Sequence, residues 1–230
     1  MKHTVCKTSH EAAALLRVLI LLSTGYATVM MLHWPIGFTF FTQLSNLFVA
    51  AVVLAQLLTR DRVPALRLWK YAATVSITLT FLVYLLALAP MVPGGIVSAY
   101  AQDHCASFCL HLVTPLLTLA DFLLHDRDFP WKKRHVLLSA LPPFAWLLMI
   151  LLLGRLGLRW GPGGVMAAPY PFLNYAAPAG WFGFLPETAG YTTMGIGVFY
   201  AIGLLIPLVL LLGELLLKAV CGLRPVNREK

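Results

Sequence analysis

Residues 38–58 read FTFFTQLSNLFVAAVVLAQLL, a stretch without a charge, and Arg60, Asp61 and Arg62 follow at once. A bilayer core takes about 20 apolar residues of helix, so this stretch is long enough to cross a membrane, with a basic flank at one end. Within it Thr42, Ser45 and Asn46 stand at i, i+3 and i+4, which puts three polar side chains on one stripe of the helix. Polar groups in a span need a partner, so the pattern predicts a helix packed against others in a membrane bundle.

Similar segments recur on both sides. They run over 12–32, 71–90, 105–124, 136–154 and 192–212, and with 38–58 they make six predicted spans. The segment 105–124 carries His111 and Asp121 in an otherwise apolar run. No long polar stretch separates the segments, so residues 1–230 form a single all-α, polytopic transmembrane domain. The chain is 60% hydrophobic and 11% charged, with a mean hydropathy of +0.81, which leaves too little polar surface to cover a water-soluble globule. The net charge of +8 does not point to nucleic acid, because the basic residues sit in short clusters between apolar runs. The first segment follows Lys2 and Lys7, yet Arg17 interrupts it and no convincing small-residue cleavage site follows; it is a helix rather than a secretory signal.

Basic residues also give a direction. Of the 17 Lys and Arg, three precede or enter the first core, four follow the second, four follow the fourth and four lie at the C-terminus. Only Arg155 and Arg159 fall on the other side, so both termini are predicted to be cytoplasmic. The long connection 155–191 holds Pro162, Pro169, Pro171, Pro178 and Pro186 together with Trp160, Tyr170, Phe172, Tyr175, Trp181 and Phe182. That mixture disfavours a regular helix and suits the membrane interface, so it predicts a cap on the outer face, either an anchor or a lid over a site.

The polar stripe at 42–46 has a counterpart. His111, Thr114, Pro115 and Thr118 follow the same spacing in the fourth segment. Both segments run inward from the outer face, and at about 1.5 Å per residue Thr42 and His111 each lie roughly 6 to 10 Å below the start of their helix. A hydroxyl beside a neutral imidazole is the minimum pair for acyl transfer. Taken singly, each residue also has an ordinary role, a threonine bonding its own backbone and an Asn or His joining two helices. Asp121 cannot orient His111, being about 15 Å further along the helix; its natural partner is His125 near the cytoplasmic interface, as Lys218 is for Glu214. Orienting candidates for His111 are Tyr84, Thr80 or a residue of the outer loop. The cysteines Cys6, Cys105, Cys109 and Cys221 predict free thiols. His104, Cys105, Cys109 and His111 are too spread along a helix to close a metal site, and no second buried histidine faces His111 across a haem, so neither metal nor cofactor is expected.

In chain order stand F-T-Q-L-S-N at 41–46, T-F-L-V-Y at 80–84, H-L-V-T-P at 111–115 with Asp121, and Y-P-F-L-N at 170–174. With this set the chain resembles the bacterial relatives of the androgen-induced and androgen-dependent membrane hydrolases, from the first span to the sixth. The resemblance implies a six-helix threonine hydrolase of the kind that, in animals, cleaves fatty acid esters of hydroxy fatty acids. Carried over by motif, it implies Thr42 as nucleophile and His111 as its base. The chain departs from the animal members around the threonine, where S-N follows, and in its aromatic outer loop.

The function expected is therefore hydrolysis of a lipid, fatty acyl ester in a multi-pass protein of the bacterial cytoplasmic membrane. Asn46, Ser45 and Tyr84 are the supporting or oxyanion candidates, and the partners are membrane lipid and a hydrophobic ester, with the oligomeric state left open. The alternatives are a non-enzymatic protein that binds or transports a small lipid, and a structural membrane partner.

Overall fold

A computed structural model describes residues 2–170, 173 and 205–223, with side chains from residue 11 onward. The predicted sixth span is covered from residue 205, and Pro171, Phe172, Tyr175, Pro178, Trp181, Phe182 and Pro186 of the predicted cap lie outside the described residues. The protein is all-helical. Helix α1 runs over Lys2–Met30, α2 over Phe41–Thr59, α3 over Ala65–Met91 and α4, a short helix, over Gly95–Ala101. Helix α5 covers Ala106–His125, α6 Val136–Arg155 and α7 Ile206–Gly222. No strand occurs among the described residues, and one antiparallel bridge joins Trp160 to Met166. Five helices (α1, α2, α3, α5 and α6) are long and apolar enough to cross a membrane, matching the predicted spans 12–32, 38–58, 71–90, 105–124 and 136–154.

Helix α3 is the centre of the bundle. Every residue from Lys70 to Thr80 is buried, and α2, α5, α6 and α7 all pack on it. Its hydroxyls do not break the helix, because Thr74, Ser76, Thr78 and Thr80 each donate to the carbonyl four residues back. The outer surface is the apolar one: Leu15, Leu22, Leu58, Leu86, Leu148 and Leu152 all point outward, as lipid solvation requires. Polar groups that turn inward tie helices together, as Thr114 of α5 does by donating to Ser23 of α1 at 2.9 Å.

The sequence reading is corrected at the start of α3. The helix begins at Ala65 rather than 71, so Lys70, counted among the loop cations, is a buried helical residue. Its charge is tolerated because Nζ lies 2.6 Å from both Asp121 and Asp126. Asp121 keeps the expected contact with His125 at 3.0 Å, but it is not an interfacial residue with one partner. It is fully buried and also takes Arg17 of α1 at 3.3 Å, while Arg17 bonds Asp61 at 2.6 Å and Arg67 approaches Asp126 at 3.8 Å. Glu214 and Lys218 form the expected pair at 2.8 Å.

Close approach of α7 depends on a glycine. A Cβ at Gly213 would stand 2.6 Å from the Ser139 hydroxyl of α6 and 2.7 Å from the Tyr71 hydroxyl of α3, whereas one at Gly222 would meet nothing within 4 Å. Overpacking costs about 1–3 kcal/mol. Gly213→Leu is expected to lower the thermal midpoint in detergent while Gly222→Leu leaves it unchanged; equal midpoints for the two variants would disprove the close contact.

Candidate active site

Thr42 lies in the first turn of α2, which starts after extended Phe40 and therefore leaves its first backbone N–H groups without helical acceptors. His111 lies in α5 where five residues, Cys109–Val113, widen into a π turn. Tyr84 opens a second π turn, Tyr84–Leu88, in α3. Such turns re-aim the side chains on a helix and recur at functional sites. Here they bring the Tyr84 and His111 rings into a stack, with centroids 3.5 Å apart and planes at 11°.

The two residues singled out by spacing meet: Thr42 Oγ1 lies 3.3 Å from His111 Nε2. His111 is buried and Thr42 half-buried. The other ring nitrogen, Nδ1, lies 2.9 Å from the Ser107 carbonyl and 3.2 Å from its hydroxyl. A carbonyl only accepts, so Nδ1 carries the hydrogen and Nε2 presents a lone pair to the Thr42 hydroxyl. The direction propagates further. Tyr84 donates its one hydrogen to the Ala99 carbonyl at 2.9 Å, so it accepts from the Ser107 hydroxyl at 2.7 Å.

Tyr170, arriving from the 155–173 connection, completes the threonine's surroundings. Its hydroxyl lies 3.4 Å from Thr42 Oγ1 and accepts from the Thr42 backbone N–H at 3.4 Å. Burial pushes the Tyr170 phenol above the usual tyrosine range, so it is a neutral donor at physiological pH.

Other expected candidates serve differently. Asn46 commits both amide hydrogens to carbonyls, that of Thr42 at 2.8 Å and that of Leu110 at 3.1 Å, so it braces the threonine's turn and joins α2 to α5 rather than offering an oxyanion donor. Ser45 donates to the Thr42 carbonyl at 3.0 Å and meets Thr80 at 2.8 Å. Thr80 is thus engaged away from His111. Thr118 bonds its own helix at the Thr114 carbonyl, the ordinary role of a membrane threonine. Among the described residues no group of three or more His, Cys, Asp or Glu is placed to hold a metal ion.

No protein-family model, characterised protein or solved structure matches this chain. Its chemistry must be judged from the site.

Two cavities meet at Thr42. One, of about 50 Å³, is apolar and runs past Leu79, Val83 and Trp146; behind Phe41 and Trp146 lies a crevice of about 390 Å³ between α2, α3 and α6. Pro142 and Pro143 sit on the α6 side of these spaces, where the helix loses backbone donors and cannot close tightly. The other cavity, about 260 Å³, reaches both Thr42 and His111; its lining is mostly apolar, from Met31, Trp34, Phe40, Leu88 and Leu110, with Gln43, Gln102 and Asp103 among its residues.

Ser107 was missed from the sequence. Ser107 stands one helical turn before His111, so a hydroxyl at i−4 from an intramembrane histidine was the available signal.

Proposed function

We propose that the protein is a membrane-embedded hydrolase of fatty acyl esters with Thr42 as nucleophile and His111 as general base and acid. One observation carries the reading: a threonine hydroxyl 3.3 Å from the lone-pair nitrogen of a histidine whose other nitrogen is fixed by Ser107, at the junction of two cavities. The ordered motifs that resemble the six-helix hydrolases support the same reading, and the distribution of Lys and Arg supports six spans with both ends in the cytoplasm.

The reaction follows from the geometry. Thr42 Oγ1 attacks the ester carbonyl carbon as Nε2 takes its proton, and the carbonyl oxygen becomes an oxyanion. The donor near that oxygen is the Tyr170 hydroxyl, 3.4 Å from Thr42 Oγ1. The C–O bond to the alcohol then breaks, and the imidazolium returns the proton to the departing oxygen. Water then attacks the acyl carbon as Nε2 takes its proton, the acyl C–Oγ1 bond breaks, and the imidazolium returns that proton to Thr42 Oγ1, releasing the fatty acid and restoring the free hydroxyl and neutral imidazole. Ser107, oriented in turn by Tyr84, holds the imidazole in the tautomer that both half-reactions need. The acyl chain starts in the apolar cavity at Thr42 and continues into the crevice behind Phe41 and Trp146, where only a hydrophobic substrate offsets the loss of hydration.

An active-site-directed fluorophosphonate tests this. The expected result is one adduct, located at Thr42 by mass spectrometry of the digested protein and absent from Thr42→Ala and His111→Ala. Failure to label folded wild type would remove the hydrolase reading in favour of lipid binding or a structural role.

A further inference from the structure

Each half of the proposed reaction turns His111 into an imidazolium, and no carboxylate touches it there. Its nitrogens meet the Thr42 hydroxyl and the hydroxyl and carbonyl of Ser107. Among the described residues no ion pair reaches the ring. Asp103 lines the adjoining cavity, but it is an exposed residue and makes no hydrogen bond to His111. Asp121 is about 15 Å further along the helix. A charge formed on a buried side chain without a partner is costly, so the site needs another source of stabilisation.

The face of Tyr84 lies against the imidazole instead, with centroids 3.5 Å apart and planes at 11°. Carbon atoms touch at about 3.5–4.0 Å, so the two rings are in direct contact with little sideways offset. Two neutral aromatic rings avoid this arrangement, because their quadrupoles repel; they prefer offset or edge-on contact with centroids roughly 4.5–7 Å apart. Neighbouring pairs follow that preference, Tyr84 meeting Tyr100 at 5.4 Å and 64° and Phe122 meeting Trp131 at 5.5 Å and 63°. A cation prefers the opposite, since the negative face of the ring attracts it from above. The stack is therefore poor for the resting imidazole and good for the imidazolium, which makes it selective for the charged state.

The surroundings keep the two rings in this register. The Tyr84 hydroxyl is tied to the Ala99 carbonyl and the Ser107 hydroxyl, and both rings project from π turns. No Lys or Arg occurs in 18–59 or 71–126, so no cation from these stretches of α1, α2, α3 and α5 competes for the ring. Tyr84 and His111 are 8% and 9% exposed, and removal from water strengthens such a contact.

We infer that the face of Tyr84 stabilises the His111 imidazolium in both half-reactions, taking the place that a carboxylate holds in a Ser–His–Asp triad. This rests on the hydrolase reading and adds a positioning residue that acts through His111. The role belongs to the electron density of the ring and is separate from the hold of the Tyr84 hydroxyl on Ser107.

The test uses the full-length protein in detergent and a long-chain nitrophenyl ester, with fluorophosphonate labelling of Thr42 measured in parallel. Tyr84→Phe is compared with proteins carrying mono-, di- and trifluorophenylalanine at position 84. The ring shapes are nearly the same, but each fluorine withdraws density from the face. The expected kcat falls at each step and by about tenfold across the series, with little change in KM. Tyr84→Leu, which removes the face, is expected to lower kcat by about 30-fold relative to Tyr84→Phe. If Tyr84→Phe is inactive through loss of its hydroxyl, difluorotyrosine at 84 makes the same comparison against the wild type with the hydroxyl in place. A ring that only fills space would give one kcat throughout the fluorinated series. That result, or Tyr84→Leu as active as Tyr84→Phe, would overturn the role of the face, while labelled Thr42 would leave the hydrolase reading intact. A wild type with neither labelling nor turnover would remove both.

Discussion

Thr42→Ala is expected to lower kcat/KM for a long-chain nitrophenyl ester by about 1,000-fold or more, and His111→Ala comparably, because in the proposed mechanism each removes an indispensable half of one proton-transfer unit. The double variant is expected to be no worse than either single one, since a nucleophile without its base and a base without its nucleophile are equally idle. Thr42→Ser keeps a hydroxyl at 42 and should retain measurable turnover. Ser107→Ala is milder, because the Ser107 carbonyl, 2.9 Å from Nδ1, survives the substitution and still selects the tautomer; it should lower kcat with little change in KM.

Stability separates this from a packing role. Among the described residues the Thr42 hydroxyl meets the His111 and Tyr170 polar groups, is half-buried and borders an open cavity, so its loss costs about 1–3 kcal/mol. The expected Thr42→Ala protein therefore melts near the wild-type temperature while losing its activity. A variant that keeps its turnover but melts much lower would show that the pair joins α2 to α5 and does no chemistry.

The contrast between what was legible and what was not has a physical cause. Apolar length and charge spacing are local, so five spans could be placed to within about six residues, and a common depth along two runs in the same direction was enough to suggest that Thr42 and His111 meet. Rotation about the helix axis is not local. Each π turn adds a residue to a helical turn, and the partners of the stripe at 111–118 were not readable from spacing: His111 reaches Thr42, Thr114 donates to Ser23 of α1 and Thr118 donates to its own backbone. Lys70 misled for a related reason. A cation at the edge of an apolar run is normally a flank, and only its tertiary partners, Asp121 on α5 and Asp126 just beyond it, reveal that it belongs inside. Asn46 was legible as an intramembrane amide, but that both of its hydrogens are taken depends on the carbonyls of Thr42 and Leu110, which the spacing does not show.

Lys70→Met is expected to destabilise the protein by about 3–5 kcal/mol, the range for removing one partner from a buried ion pair. In the wild type Arg17, Arg67 and Lys70 balance Asp61, Asp121 and Asp126. The Lys70 side chain is 1% exposed and those of Asp121 and Asp126 are 0% and 2% exposed, so water cannot replace a missing charge. Without Lys70, Asp121 still has Arg17 and His125, but Asp126 is left with Arg67 at 3.8 Å. The cluster then carries an uncompensated negative charge beside an apolar core. Removing that charge as well should restore much of the loss, so Lys70→Met with Asp126→Asn is expected to be more stable than Lys70→Met alone. Thermal midpoints of the purified proteins in one detergent decide the matter. If the single variant melts with the wild type, or the double variant melts below the single, the cluster is not what fastens α1, α3 and α5 together at this end of the bundle.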